Sequence, residues 1–75
     1  GNAVSVGSTV VLKDLSHGDV EQYMIVGSAE ANPSKKRISN ESPVGRAVLG
    51  KTVGSVVEVI VPLGTIRYEV VQIAR

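Results

Sequence analysis

Fifteen of the 75 residues are valine, and no other feature narrows the possible folds so far. A β-branched side chain is stiff at χ1 and suits the pleated, half-buried surface of a sheet better than a helix. The rest of the inventory agrees, because the chain has no Phe, no Trp, two Tyr and one Met. It also has no Cys, so neither a disulfide nor a thiolate metal site can staple the fold. A chain of this size buries only about 60% of the surface its unfolded form exposes. Aliphatic side chains on strands must therefore supply nearly all of the burial, which implies one small domain dominated by a sheet.

Charge and hydropathy exclude several classes. A net charge of +1 creates no strong field towards nucleic acid or a membrane surface. Apolar runs extend only a few residues, against the ~20 a membrane-spanning helix needs. Gly1-Asn2-Ala3 has neither the basic start nor the apolar core of a signal peptide. Gly1 in place of an initiator Met suggests a fragment or a tag scar. With cysteine absent, a cytoplasmic location is the expectation.

Along the chain, Thr9 to Leu15 reads as a first strand. Ser16-His17-Gly18-Asp19 supplies turn chemistry, and Val20 to Val26 reads as the returning strand, ended by Gly27. Residues 28–37 form a polar connection containing Asn32-Pro33, a turn initiator. Ile38-Ser39 is a short strand or a bridge. The clearest helix signal follows: Ser42 at the N-cap, Pro43 at the first helical position and Gly50 past the end predict a helix over Pro43 to Leu49. So short a helix cannot stand alone in water, and Val44, Ala47 and Val48, at i, i+3 and i+4, are expected to press it onto the sheet. Val56 to Val61 and Thr65 to Ile73 read as a second hairpin around Pro62-Leu63-Gly64. In its last strand Ile66, Tyr68 and Val70 alternate with Thr65, Arg67 and Glu69, giving one buried and one wet face. The predicted class is α+β, a twisted antiparallel sheet with one short helix packed on it.

The run from Ile38 to Lys51, ISNESPVGRAVLGK, resembles the signature of the Gre transcript-cleavage (GreA/GreB transcription elongation) factors. The flanking blocks resemble the same family: Tyr23 to Ala31 its Y-x-I-V-G-x-x-E-A stretch, Val53 to Val59 its V-G-D-x-V-x-V stretch, and Tyr68-Glu69-Val70 its Y-E-[IV]. Each block alone is weak, but together they run in order, at the right spacing, from about Gly7 to Ile73. Ser55 in place of Asp and Leu63 in place of Gly are the departures, and both concern turns. The resemblance implies an FKBP-like domain spanning residues 1–75 that binds bacterial RNA polymerase near its secondary channel, against the largest catalytic subunit. In that family an N-terminal coiled coil with an acidic tip promotes cleavage of backtracked RNA by the polymerase. No such arm is present in these residues, so this chain is expected to be no enzyme and to need no cofactor or metal.

Asn40, Glu41, Ser42 and Pro43 form the candidate polymerase-binding site. Ser42 caps the helix and Pro43 fixes its entry, so the corner is rigid and loses little entropy on docking. Simple helix capping, at ~1 kcal/mol for the serine, is the plainer account of the same residues. Lys35-Lys36-Arg37 is too short for a nucleic-acid patch and has no aromatic beside it to stack a base. It reads as a solvated loop, and sequence-specific nucleic-acid contact is not expected. His17 sits in a turn with too few ligands near it for a metal. Glu58, Arg67 and Glu69 read as cross-strand charges on the wet face, and Tyr23 and Tyr68 as the edge of the core. A monomer without membrane contact is expected.

Two alternatives remain at this point. A Gre-like antagonist or regulator would share the docking domain and differ in the arm. A peptidyl-prolyl isomerase would share the fold but needs a pocket of Trp, Phe and Tyr that this composition does not supply.

Overall fold

The structure, a computed structural model, describes residues 2–74. Its strands are β1 (Thr9–Asp14), β2 (Val20–Val26), β3 (Arg37–Ser39), β4 (Val56–Val61) and β5 (Gly64–Ala74), with one helix, α1 (Pro43–Val48), between β3 and β4. The strands form a single sheet in the order β3-β2-β1-β5-β4. The two expected hairpins, β1–β2 and β4–β5, are joined through an antiparallel β1–β5 pair. The fold is α+β as the sequence implies, but the sheet is mixed, not wholly antiparallel: β3 runs parallel to β2, with Val26 beside Ser39. The reason lies in the polar connection. It folds into 3₁₀ turns at Ser28–Glu30 and Pro33–Lys35, and these return the chain to the β2 edge at Met24, where Arg37 begins β3. Lys36, at φ 60°, closes the second turn in the left-handed region.

Because β3 and β4 are opposite edges of the sheet, the segment joining them must cross one of its faces. That crossing lays Val44, Ala47, Val48 and Leu49 on the core. Val10, Leu12, Ile25, Val48, Val59 and Val70 are each at most 1% exposed, and full burial of one such side chain stabilises by roughly 1.5–3 kcal/mol. Val4 joins them by pairing its backbone with Gly50 and Lys51 after the helix.

The alternation read in β5 holds for Ile66, Tyr68 and Val70, then shifts. Val11 pairs with Gln72 but Leu12 pairs with Val70, so Val71 is an extra residue, a β-bulge. The bulge lets Ile73, three residues after Val70, face the core opposite Val10. A period of two alone would have turned it outward. β4 departs from its sequence in another way. Its apolar residues suggest two covered faces, yet only Val57 and Val59 are buried, while Val56 is 56% and Ile60 80% exposed. As an edge strand with the helix on one side, it has one face in water.

Candidate functional site

The corner at Asn40–Pro43 is assembled from the end of β3 and the start of α1. The parallel ladder runs one step past β3, with the Asn40 N–H donating to the Val26 carbonyl at 2.8 Å. The chain then turns back on Ser39. Its carbonyl accepts both the Ser42 N–H at 3.0 Å and the Ser42 hydroxyl at 2.7 Å. Ser42 Oγ accepts in turn from the Gly45 N–H at 3.1 Å, the N-cap bond its position predicts. The Ser42 hydroxyl thus uses its donor and the cap lone pair inside the turn, and it acts by holding the corner together. What the corner shows to solvent is Glu41 and Pro43, both exposed, beside half-buried Asn40.

Two residues outside the expected set complete the geometry. Ser28, at the start of the first 3₁₀ turn, donates its hydroxyl to Glu41 Oε1 at 2.8 Å and lies 3.2 Å from Ser39 Oγ. Ser39 Oγ accepts the Glu41 N–H at 2.9 Å. No periodicity in the sequence marks Ser28, because only the parallel β2–β3 register brings it beside Ser39. Gly45 is the second. It is buried, and a Cβ there would lie 2.0 Å from the Ser39 carbonyl oxygen, so only glycine lets α1 approach β3 this closely.

The remaining candidates take structural roles. Asp14 accepts from the Ser16 N–H at 2.8 Å, the His17 N–H at 3.3 Å and His17 Nδ1 at 3.3 Å. The Ser16 bond above all holds its carboxyl below the usual value of 3.8. Lys36 pairs with Glu21 and stands 5.3 Å from the centre of the Tyr23 ring. The Glu21 hydrogen bond raises its ammonium above 10.5. Glu58 and Arg67 face each other across β4–β5 at 3.0 Å, the cross-strand pair the alternation implies. Tyr23 and Tyr68 line a depression together with Leu12, Val20, Asp14, Asp19 and Glu21. Desolvation raises the Tyr68 phenol above 10.0. Among the described residues no three His, Asp or Glu side chains gather as a metal site requires. No described helix is long and apolar enough to cross a membrane.

The fold and its corner define a small α+β class in which a mixed five-stranded sheet carries one capped helix. The family model "Transcription elongation factor, GreA/GreB, C-term" matches residues 1–75, and the chain belongs to that family. It is 54% identical over 72 residues to transcription elongation factor GreA of Alkaliphilus oremlandii, covering 96% of this chain and 45% of that protein. The crystal structure of GreA factor homolog 1 (Gfh1) from Thermus thermophilus superimposes with a TM-score of 0.85 at 36% identity, over 100% of this chain and 50% of that one. Prokaryotic transcription elongation factor GreA/GreB from Nitrosomonas europaea does so at 0.81 and 28%, over 99% and 62%. The chain spans about half the length of the curated relatives it matches.

Proposed function

We propose that this domain docks a GreA-type factor on bacterial RNA polymerase through Asn40, Glu41, Ser42 and Pro43, and that it carries out no chemistry itself. One observation carries the reading. A charged side chain and a proline ring stand exposed on a corner whose backbone is locked by three hydrogen bonds among Ser39, Ser42 and Gly45. A preorganised protrusion spends little of its contact energy on ordering, so a small patch can hold a partner. Glu41 and Pro43 make the contacts in this account, Asn40 flanks them and Ser42 fixes their geometry. Cleavage of backtracked RNA is then promoted by a coiled-coil domain outside residues 1–75, with the factor acting as a cytoplasmic monomer at the largest polymerase subunit.

Pull-down of core RNA polymerase tests the site. Glu41→Lys reverses the charge and Pro43→Ala removes the ring, and each is expected to weaken retention at least several-fold. Unchanged retention of both variants refutes the site. In a second reading the same corner docks a Gre-like antagonist or regulator that does not promote cleavage. RNA release from backtracked complexes by the full-length protein separates the two. The isomerase alternative is disfavoured, because the chain has no Phe and no Trp to wall a prolyl pocket.

A further inference from the structure

We infer that Ser28 is a positioning residue for the docking corner, holding the Glu41 carboxylate in its binding orientation through a closed ring of hydrogen bonds. The inference rests on the proposed role of Glu41 and adds to it a residue from a different part of the chain.

The direction of each bond follows from the donors available. The Ser28 hydroxyl gives its proton to Glu41 Oε1 at 2.8 Å. Having one proton, it can only accept in its 3.2 Å contact with Ser39 Oγ, so Ser39 is the donor there. Ser39 Oγ in turn accepts the Glu41 N–H at 2.9 Å. The ring therefore runs from the Glu41 N–H to Ser39, from Ser39 to Ser28, and from Ser28 back to the Glu41 carboxylate. Each hydroxyl gives once and receives once, an arrangement in which successive bonds polarise one another. The last bond is charge-assisted, the stronger kind.

An exposed glutamate ordinarily samples many rotamers, and ordering such a side chain at an interface costs affinity. Here the ring engages Oε1 and leaves Oε2 for a partner's donor. Ser28 can do this because β2 and β3 run parallel. Val26 lies beside Ser39, and the chain beyond each strand end continues in the same direction. The 3₁₀ turn at Ser28–Glu30 and the corner at Asn40–Pro43 are therefore neighbours.

Two measurements on this chain test the inference. In the first, NMR couplings about the Glu41 χ1 bond are compared between the parent, Ser28→Ala and Ser28→Thr, with amide spectra confirming that each variant is folded. The parent and Ser28→Thr are expected to show one dominant rotamer, and Ser28→Ala averaged couplings. Averaged couplings in the parent, or unchanged couplings in Ser28→Ala, overturn the inference whatever polymerase does. The second is the affinity for core RNA polymerase of Ser28→Ala, Glu41→Ala and the double variant. Ser28→Ala is expected to bind roughly 3- to 10-fold more weakly, the cost of ordering one flexible side chain on docking that the ring otherwise removes. It is expected to have no further effect once Glu41 is alanine. A loss of the same size in both backgrounds, or none in the parent while Glu41→Ala weakens binding, overturns the positioning role. If Glu41→Ala itself binds normally, the proposed contact role of Glu41 has failed instead, and the NMR result still decides whether Ser28 orders the side chain.

Discussion

Gly45→Ala reverses the sign that helix propensity alone would assign. In an exposed helix interior, alanine is favoured over glycine by about 0.8–1.0 kcal/mol. At residue 45 the added Cβ would sit 2.0 Å from the Ser39 carbonyl oxygen and 3.0 Å from both the Ser39 carbonyl carbon and Ser42 Oγ. Contacts under 3.0 Å are essentially never seen for a real Cβ, so α1 and β3 must separate by about 1 Å, which is overpacking against a rigid strand. Overpacking of this kind costs typically 1–3 kcal/mol. The displaced carbonyl is also the acceptor for both Ser42 bonds, each worth about 1 kcal/mol. Set against the propensity gain, the net loss is about 2 kcal/mol. In a domain of this size that is a large share of a stability on the order of 5 kcal/mol, and it lowers Tm by roughly 8–16 °C. Urea titration and thermal melting followed by far-UV circular dichroism measure it directly. An alanine variant as stable as the parent, or more so, would refute the reasoning. It would mean that the corner is loose enough to absorb a methyl group, and so is not the rigid element the docking proposal requires.

Two further expectations follow from the same geometry. Ser42→Ala removes the N-cap acceptor and the hydroxyl bond to Ser39. It should cost ~1 kcal/mol, seen as a lower urea midpoint at constant slope, and an unchanged midpoint would contradict the cap. Tyr68, isolated spectroscopically in a Tyr23→Phe variant, should ionise above 10.0, because desolvation, the largest cause of its raised pKa, survives that substitution. A raised pKa means that the folded state holds the phenol proton more tightly than the unfolded chain. Tyr68's contribution to stability is therefore complete below pH 10.0 and declines as pH rises through the folded value. Ionisation at or below 10.0 would show that Tyr68 is not desolvated.

Much of the fold was legible because its signals are local. Gly18, at φ +78°, makes the turn that the Ser16–Asp19 composition announces. Ser42, Pro43 and Gly50 bracket the helix to within a residue of its observed end. The β1–β2 and β4–β5 pairings follow from short turns. The candidate corner was legible for the same reason, since capping and proline chemistry act within a few residues. Its surface was read less well. Ser42 stands among the candidate binding residues, yet its hydroxyl is committed to Ser39 and Gly45.

The sequence by itself determined that valine-rich strands would carry the core, that a two-ended cap would stop a short helix, and that Glu41 and Pro43 would flank that cap. Only the tertiary structure decided that β1 meets β5, that a bulge at Val71 turns Ile73 inward, and that β3 lies parallel to β2. It alone set Ser28 against Glu41 and demanded glycine at residue 45. The physical reason is one of range. Capping and turn preferences are settled by a residue and its near neighbours. Strand order, register and backbone approach depend on partners far along the chain, whose meeting is fixed by the burial of the whole sheet.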